Sequence, residues 1–540
     1  MAATDRRGDM TRSVRNVMGL ALAALMAACG GGDGGGGSGA GGTVVAGMQS
    51  DFSGLNPITN SSIDTDQILK YGLYTPLIQY DEDFNPRPYL AESWEEHGDT
   101  AVTFTLREDV KWHDGRPVTA EDVKFTFDMA KAPEAGSLIG SAYLGNVASA
   151  TVVDARTIRF SYSRPHAQAL EDFWWAPVPK HALEGIDAAG LANASFNRNP
   201  VGSGPFRFVE WRANERLVLE RNDSFPEALG GPPAAQRIVF RVVPEPATLL
   251  TELLTGGVQV DIPVEPDQTN RIKQTASVTL YSFPGNTLYY LGWNNQRPPF
   301  DDARVRRAMT LGINRQEIID ALLFGYGRTA TSTVPPWHPF HPDIEPLPHD
   351  PDQARQLLQE AGWTDGNGDG VREKGGRPLR FSILTSERPL NRAIVEVLQS
   401  QLRGIGADVQ IQVLEFQTML AQHKGRDFDA VLSNWVLDNF QMASAPFSLF
   451  HSSQAAIDQS ANRSGVRIPR LDALIDRGAA ATDADAARAV WREFTEVLQE
   501  EQPFTFMFWR DELAATSDAL DGFEMDQRGE FQSMTEWSVR

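Results

Sequence analysis

The chain has 540 residues, 41% of them hydrophobic, and a formal net charge of −22. That length supplies two or three domains with a large core. So acidic a surface disfavours nucleic acid and anionic membrane as direct partners, and a single cysteine, Cys29, leaves no internal disulfide to be made.

Chain order begins with that cysteine. Arg6, Arg7, Arg12 and Arg15 precede an apolar run from Val17 to Ala28, and Gly, Ser, Ala and one Asp follow Cys29. The run is too short to span a bilayer, which takes about 20 residues. The arrangement resembles a bacterial lipoprotein signal, with Met26 three residues before the cysteine where Leu is usual. On that resemblance residues 1–28 are a cleaved signal peptide and Cys29 is the lipidated first residue. Residues 29–42 then form a Gly-rich tether, with an r.m.s. reach on the order of 20 Å.

Folded structure is predicted to start with a strand at Thr43–Ala46. Through the first third, Thr100–Leu106, Thr151–Tyr162, Gly204–Val209 and Leu217–Arg221 alternate or carry β-branched residues between turn signals. Thr119 is placed to cap a helix over Ala120–Met129, with Asp122 three residues on. Asp350-Pro351 opens a helix whose apolar face is Ala354, Leu357, Leu358 and Ala361. The clearest pattern lies in Arg377–Trp435. Strands at Phe381–Thr385, Asp408–Leu414 and Phe428–Asn434 alternate with helices at Leu390–Leu402 and Phe416–His423. That β-α-β-α-β order calls for a parallel sheet. The fold class is therefore α/β, a strand-built first lobe followed by an α/β second lobe.

Catalytic patterns are absent: there is no G-x-S-x-G, H-E-x-x-H or Walker A. His338, His341 and His349 sit in a Pro-rich stretch whose prolines break regular ligand spacing. Asp365, Asn367, Asp369 and Glu373 begin like an EF-hand-type calcium loop, but the twelfth position is Gly376, where a bidentate Glu belongs. The competing reading is an Asp/Gly turn between helix and strand. No cofactor is expected.

Lys111-Trp-His-Asp-Gly-Arg-Pro-Val-Thr-Ala-Glu-Asp-Val-Lys-Phe-Thr-Phe-Asp128 resembles the signature block of the family 5 extracellular solute-binding proteins. Leu55-Asn-Pro57, Leu73–Leu77, Leu90–Trp94, Pro200–Phe206, Leu291–Asn294, Pro299–Ala308 and Ile313–Arg315 extend the resemblance in order along the chain. The resemblance implies a two-lobed periplasmic-binding-protein-like fold (class II). It places the first lobe over 43–285 with an extra subdomain near 76–190, the second over 286–509, and a return of 510–540 to the first. It implies no enzyme. Instead it implies the binding component of an ABC importer, a monomer on the periplasmic or cell-surface side of a bacterial membrane. That component would be held to the membrane only by its lipid anchor and would deliver short peptides to permease subunits.

Ligands of open α/β sheets bind beyond the carboxyl ends of strands. The strand ending at Asn434 delivers Trp435 and Asp438 there. In the family the matching carboxylate receives a peptide's α-amino group, a strong charge-assisted contact. Asp51 and Phe52 after the first strand, and Asn294 and Asn295 at a lobe crossing, are further lining candidates. Oligosaccharide, a nickel chelate or haem are alternative ligands of the same fold; the 12 Trp permit sugar stacking. A secreted hydrolase with paired carboxylates is the alternative of another class.

Overall fold

The computed structural model describes residues 42–163, 169–437, 443–458, 460–481 and 483–540. Cys29, the signal and almost all of the tether lie outside the described residues, as does Asp438.

Most strands join one sheet of 11 strands. Its first-lobe half runs Val260–Ile262, Thr43–Met48, Arg237–Val242, Arg216–Arg221 and Phe206–Arg212. Thr43–Met48 lies parallel to both neighbours. Its Val44, Ala46 and Met48 are buried, the period-2 pattern of a strand with one face in the core. The second-lobe half contains Asp408–Leu414, Arg380–Ser386 and Ala430–Val436, all mutually parallel. Helices Pro389–Arg403 and Phe416–Lys424 supply the crossovers, as the sequence pattern predicts. Ile394, Val395, Leu398 and Leu402 form the buried stripe of the first of these.

Two long antiparallel strands, Val278–Trp293 and Phe504–Ser517, join the halves. Val278–Pro284 pairs with Asp511–Ser517 and Thr287–Gly292 with Phe504–Arg510, with a register shift between Pro284 and Thr287. On the first-lobe side Val260 and Asp261 pair with Thr516 and Ala515. On the second-lobe side Ala430–Val436 pairs with Thr287–Trp293. Tyr290 stacks on Phe504 (4.5 Å, 9°) and Tyr289 on Phe508 (4.9 Å, 23°).

A separate four-stranded antiparallel sheet follows the order Ala91–Glu96, Ala101–Leu106, Thr157–Tyr162, Val147–Val152. The single strand expected over Thr151–Tyr162 is thus two. Asp154 explains the break: its Oδ1 accepts from the amides of Arg156 (2.8 Å) and Thr157 (2.9 Å), closing a tight turn. The helix Ala120–Lys131 packs against this sheet. Asp122, 5% exposed, is the knot of the signature block. It accepts from Thr119 N and Oγ1 (both 2.9 Å), Lys180 N (2.9 Å) and Trp112 Nε1 (3.4 Å).

Two buried carboxylates carry testable consequences for stability. Asp122→Ala strands several donors at once and should cost about 2–4 kcal/mol, read as a lower urea midpoint. Asp261 is 1% exposed, and neither of its oxygens has a hydrogen-bond partner among the described residues. Burial, then the nearby Glu265 charge, pushes its carboxyl up to about 7. The folded state therefore holds a proton that the unfolded state releases near the ordinary aspartate value. The stability this confers is full at pH values below that ordinary value and is lost as pH rises towards 7. Asp261→Asn should gain stability relative to wild type across that window, by roughly 4 kcal/mol in all; paired melts from pH 4 to 8 measure the difference.

Candidate functional site

Where the two crossing strands pass from one lobe to the other, they floor a cavity of about 480 Å³, within the usual range of ligand pockets (about 300–1,000 Å³). The crossing strands contribute Asn286, Thr287, Tyr289, Arg510 and Glu512; the first lobe contributes Asp64, Gln67, Trp174 and Glu530; the second contributes Arg388, Asn434 and Leu437. Three local features aim these side chains. Ser62 Oγ accepts from Thr65 N (3.3 Å), starting the helix Ile63–Ile68 so that Asp64 falls in its first turn. Arg388 follows the strand Arg380–Ser386 by two residues and precedes Pro389 at the first turn of a helix. Gln67 Nε2 donates to Glu530 Oε2 (2.6 Å), fixing the C-terminal segment against that first helix.

The charges are unequally distributed. Burial, then the carboxylates of Glu512 and Asp64, push Glu530 up to about 7. Burial also raises Glu512, with Arg510 pulling it down and Asp64 adding to the rise, and burial raises Asp64. Arg388 is exposed and, among the described residues, makes no ion pair. Its guanidinium lies 5.4 Å from the Phe416 ring centre.

The sequence-derived candidates separate. Asn434 lines the cavity, opposite Tyr289 in the sheet. Trp435 faces the other side, as strand alternation requires, and packs into the core with Leu288 and Tyr290. Asn294 is 4% exposed and donates to Phe428 O (2.9 Å). Asn295 donates to Trp293 O and Pro503 O. Asp51 accepts from Trp211 Nε1 (2.9 Å) and Asn214 N (2.8 Å), and Phe52 packs edge-on against Trp211 and Phe240. These last four bind their own neighbours and do not line the cavity. Asp365 accepts from the amides of Gly368 (2.7 Å) and Gly370 (3.1 Å), and Asp369 from Val371 N (2.8 Å). The oxygens of this loop, with Asn367 beside them and Glu373 in a short hairpin, thus cap its own backbone. Among the described residues no group of three or more His, Cys, Asp or Glu side chains is set to hold a metal.

Asp64, Glu512, Glu530 and Arg388 escaped the sequence reading. The rule of strand carboxyl ends would have found Arg388, because it applies to Arg380–Ser386 as well as to Ala430–Val436. The acids come from three distant stretches and carry no local signal. Six of the tryptophans (Trp112, Trp175, Trp293, Trp491, Trp509 and Trp537) are fully buried in the cores, so they offer no face to a sugar.

A second bridge links the lobes away from the sheet. The segment holding Trp337 is fastened to the helix Ala484–Glu501 through Arg492 to Asp343 O and Gln499 to Glu345 O. Trp337 itself packs on Phe84 of the first lobe, with ring centres 4.8 Å apart.

The family described as bacterial extracellular solute-binding proteins, family 5, middle, matches residues 85–456. The chain is 28% identical over 502 residues to the oligopeptide-binding protein AppA of Bacillus subtilis, covering 90% of this chain and 89% of that protein. It is 28% identical over 518 residues to the dipeptide-binding protein of Escherichia coli, covering 90% and 93%. The structure of B. subtilis AppA in complex with a nonapeptide matches with a TM-score of 0.78 at 26% identity, covering 93% of this chain and 99% of that one. NikZ of Campylobacter jejuni, in complex with Ni(L-His), shares the fold at a TM-score of 0.77 and 23% identity, covering 92% and 99%.

An aromatic pair contributes about 0.5–1.5 kcal/mol. Trp337→Ala should therefore shift the lobes toward an open form by roughly 2- to 10-fold, measured as a larger radius of gyration in small-angle scattering without loss of helical signal.

Proposed function

Because the chain belongs to the family 5 bacterial extracellular solute-binding proteins, we propose that it captures short peptides between its two lobes and hands them to the permease of an ABC importer. The observation that carries this reading is the charge layout of the inter-lobe cavity. An arginine without an ion-pair partner among the described residues and several carboxylates line the same cavity from separate segments of the chain. A peptide is a chain with an ammonium at one end and a carboxylate at the other. Arg388 suits the carboxylate, because a planar guanidinium matches it with two parallel hydrogen bonds. Asp438, which follows the cavity residue Leu437 by one position, suits the α-amino group.

In this reading residues 43–285 with 510–540 form one lobe, carrying the extra subdomain near 76–190, and residues 286–509 form the other. Cys29 anchors the protein as a lipid-modified monomer on the outer side of a membrane, and residues 29–42 let it reach its permease. Asp64, Glu512 and Glu530 are of the residue type that a paired-carboxylate hydrolase uses; here they bind and perform no chemistry.

Calorimetric titration with a defined library of two- to five-residue peptides tests the reading. At least one peptide should bind in the micromolar range or tighter and be recovered intact. Arg388→Ala and Asp438→Ala should each weaken it about 10-fold or more, the loss of a charge-assisted contact. Equal affinity in both variants would remove the roles assigned to them, and cleaved peptide would point to the hydrolase instead.

A further inference from the structure

The cavity is what marks this place as a site; its carboxylates decide which charge it accepts. The charged groups facing the first-lobe end of the cavity can be followed element by element. From the helix Ile63–Ile68 come Asp64 and Asp66, of which Asp66 is neutralised by Lys70 (2.6 Å). From the C-terminal segment come Glu530 and Arg528, of which Arg528 is occupied by Asp526 (3.0 Å). From the crossing strand come Arg510 and Glu512. Arg510 is shared between the Tyr289 hydroxyl and Glu265, the latter at 3.8 Å.

Asp64, Glu512 and Glu530 remain. Among the described residues none of them has a salt bridge. Glu530 has Gln67, and Glu512 a long contact of 3.4 Å with Thr287 Oγ1. Asn286 on the same wall adds a buried Oδ1 with no donor among the described residues. Even with Arg510 set wholly against one of the acids, this end has two carboxylates more than its cations balance, and an amide oxygen without a donor among the described residues. Such a surplus is costly in a desolvated cleft unless a ligand brings the missing donors.

We propose that this acid-lined end of the cleft takes a basic side chain, Lys or Arg, of the bound peptide, so that the protein prefers cationic peptides. The inference rests on the peptide-capture reading above and deepens it. The α-amino and α-carboxyl ends have their own partners in that reading, so the side-chain cation is a separate contact. An ammonium has three donors and a guanidinium five, enough to satisfy Glu512, Glu530 and Asn286 together. A peptide carrying Glu in the same place would add a further like charge and be rejected.

The test is a positional scan with the purified full-length protein at pH 8. Tetra-alanine is varied to Lys, norleucine or Glu at each position in turn, and affinity is measured by calorimetry. Norleucine keeps the aliphatic stem of Lys without its charge. At one position Lys should bind at least about 10-fold tighter than norleucine, and Glu weakest. The double variant Glu512→Gln, Glu530→Gln should bring the Lys-to-norleucine ratio toward one. If that variant does not fold, Asp64→Asn should reduce the same ratio. Neutral peptides that bind without any Lys position gaining, or a ratio that survives these substitutions, overturn the proposal and leave peptide capture standing. No binding of any peptide by a folded protein overturns both.

Discussion

The antiparallel pairing of Val278–Trp293 with Phe504–Ser517 is the constraint on which the rest depends, because each strand serves both lobes. Lobes joined by plain loops would leave a ligand site between them free to change shape. Here a continuous hydrogen-bonded ladder runs beneath the site and fixes Tyr289, Arg510 and Glu512 in it. The register shift between Pro284 and Thr287 interrupts the regular pairing where the strands pass from one half of the sheet to the other. Gly285 lies in that shift. A Cβ there would come within 2.6 Å of Arg510 O and 2.7 Å of the Glu512 side chain, so the close approach that aims Glu512 into the cavity requires glycine.

Around that ladder the molecule divides labour between structure and recognition. The motif most visible in sequence, Lys111–Asp128, is spent on structure: Asp122 ties a helix, a turn and a distant segment together in a dry setting. The tryptophans are largely spent the same way. The cavity is lined instead by charged residues from separate segments, some held by single hydrogen bonds such as Gln67 to Glu530. These positions can change without disturbing a core, which is how one fold serves many ligands.

This division also explains what the sequence disclosed. The βαβαβ unit of the second lobe was legible because its helices and strands carry unbroken periodicity; Ile394, Leu398 and Leu402 alone define a face. Thr151–Tyr162 misled because its alternation continues through Asp154, and only side-chain capping of two amides reveals the turn. The cavity was legible in one wall, through Asn434. Asn294, Asn295, Asp51 and Phe52 are polar or aromatic residues at plausible places, but each is absorbed by a neighbour. Asp64, Glu512 and Glu530 meet only through long-range pairing, which no window of sequence contains.

The core of the first lobe has a further implication for how the protein comes into being. Its opening strand begins at Thr43, yet Phe531, Met534 and Trp537 are fully buried in the same core, and Ala515 and Thr516 complete its sheet. A chain made from its N-terminus therefore holds an unfinished lobe through the synthesis of the entire second one. The half that is begun first is sealed last.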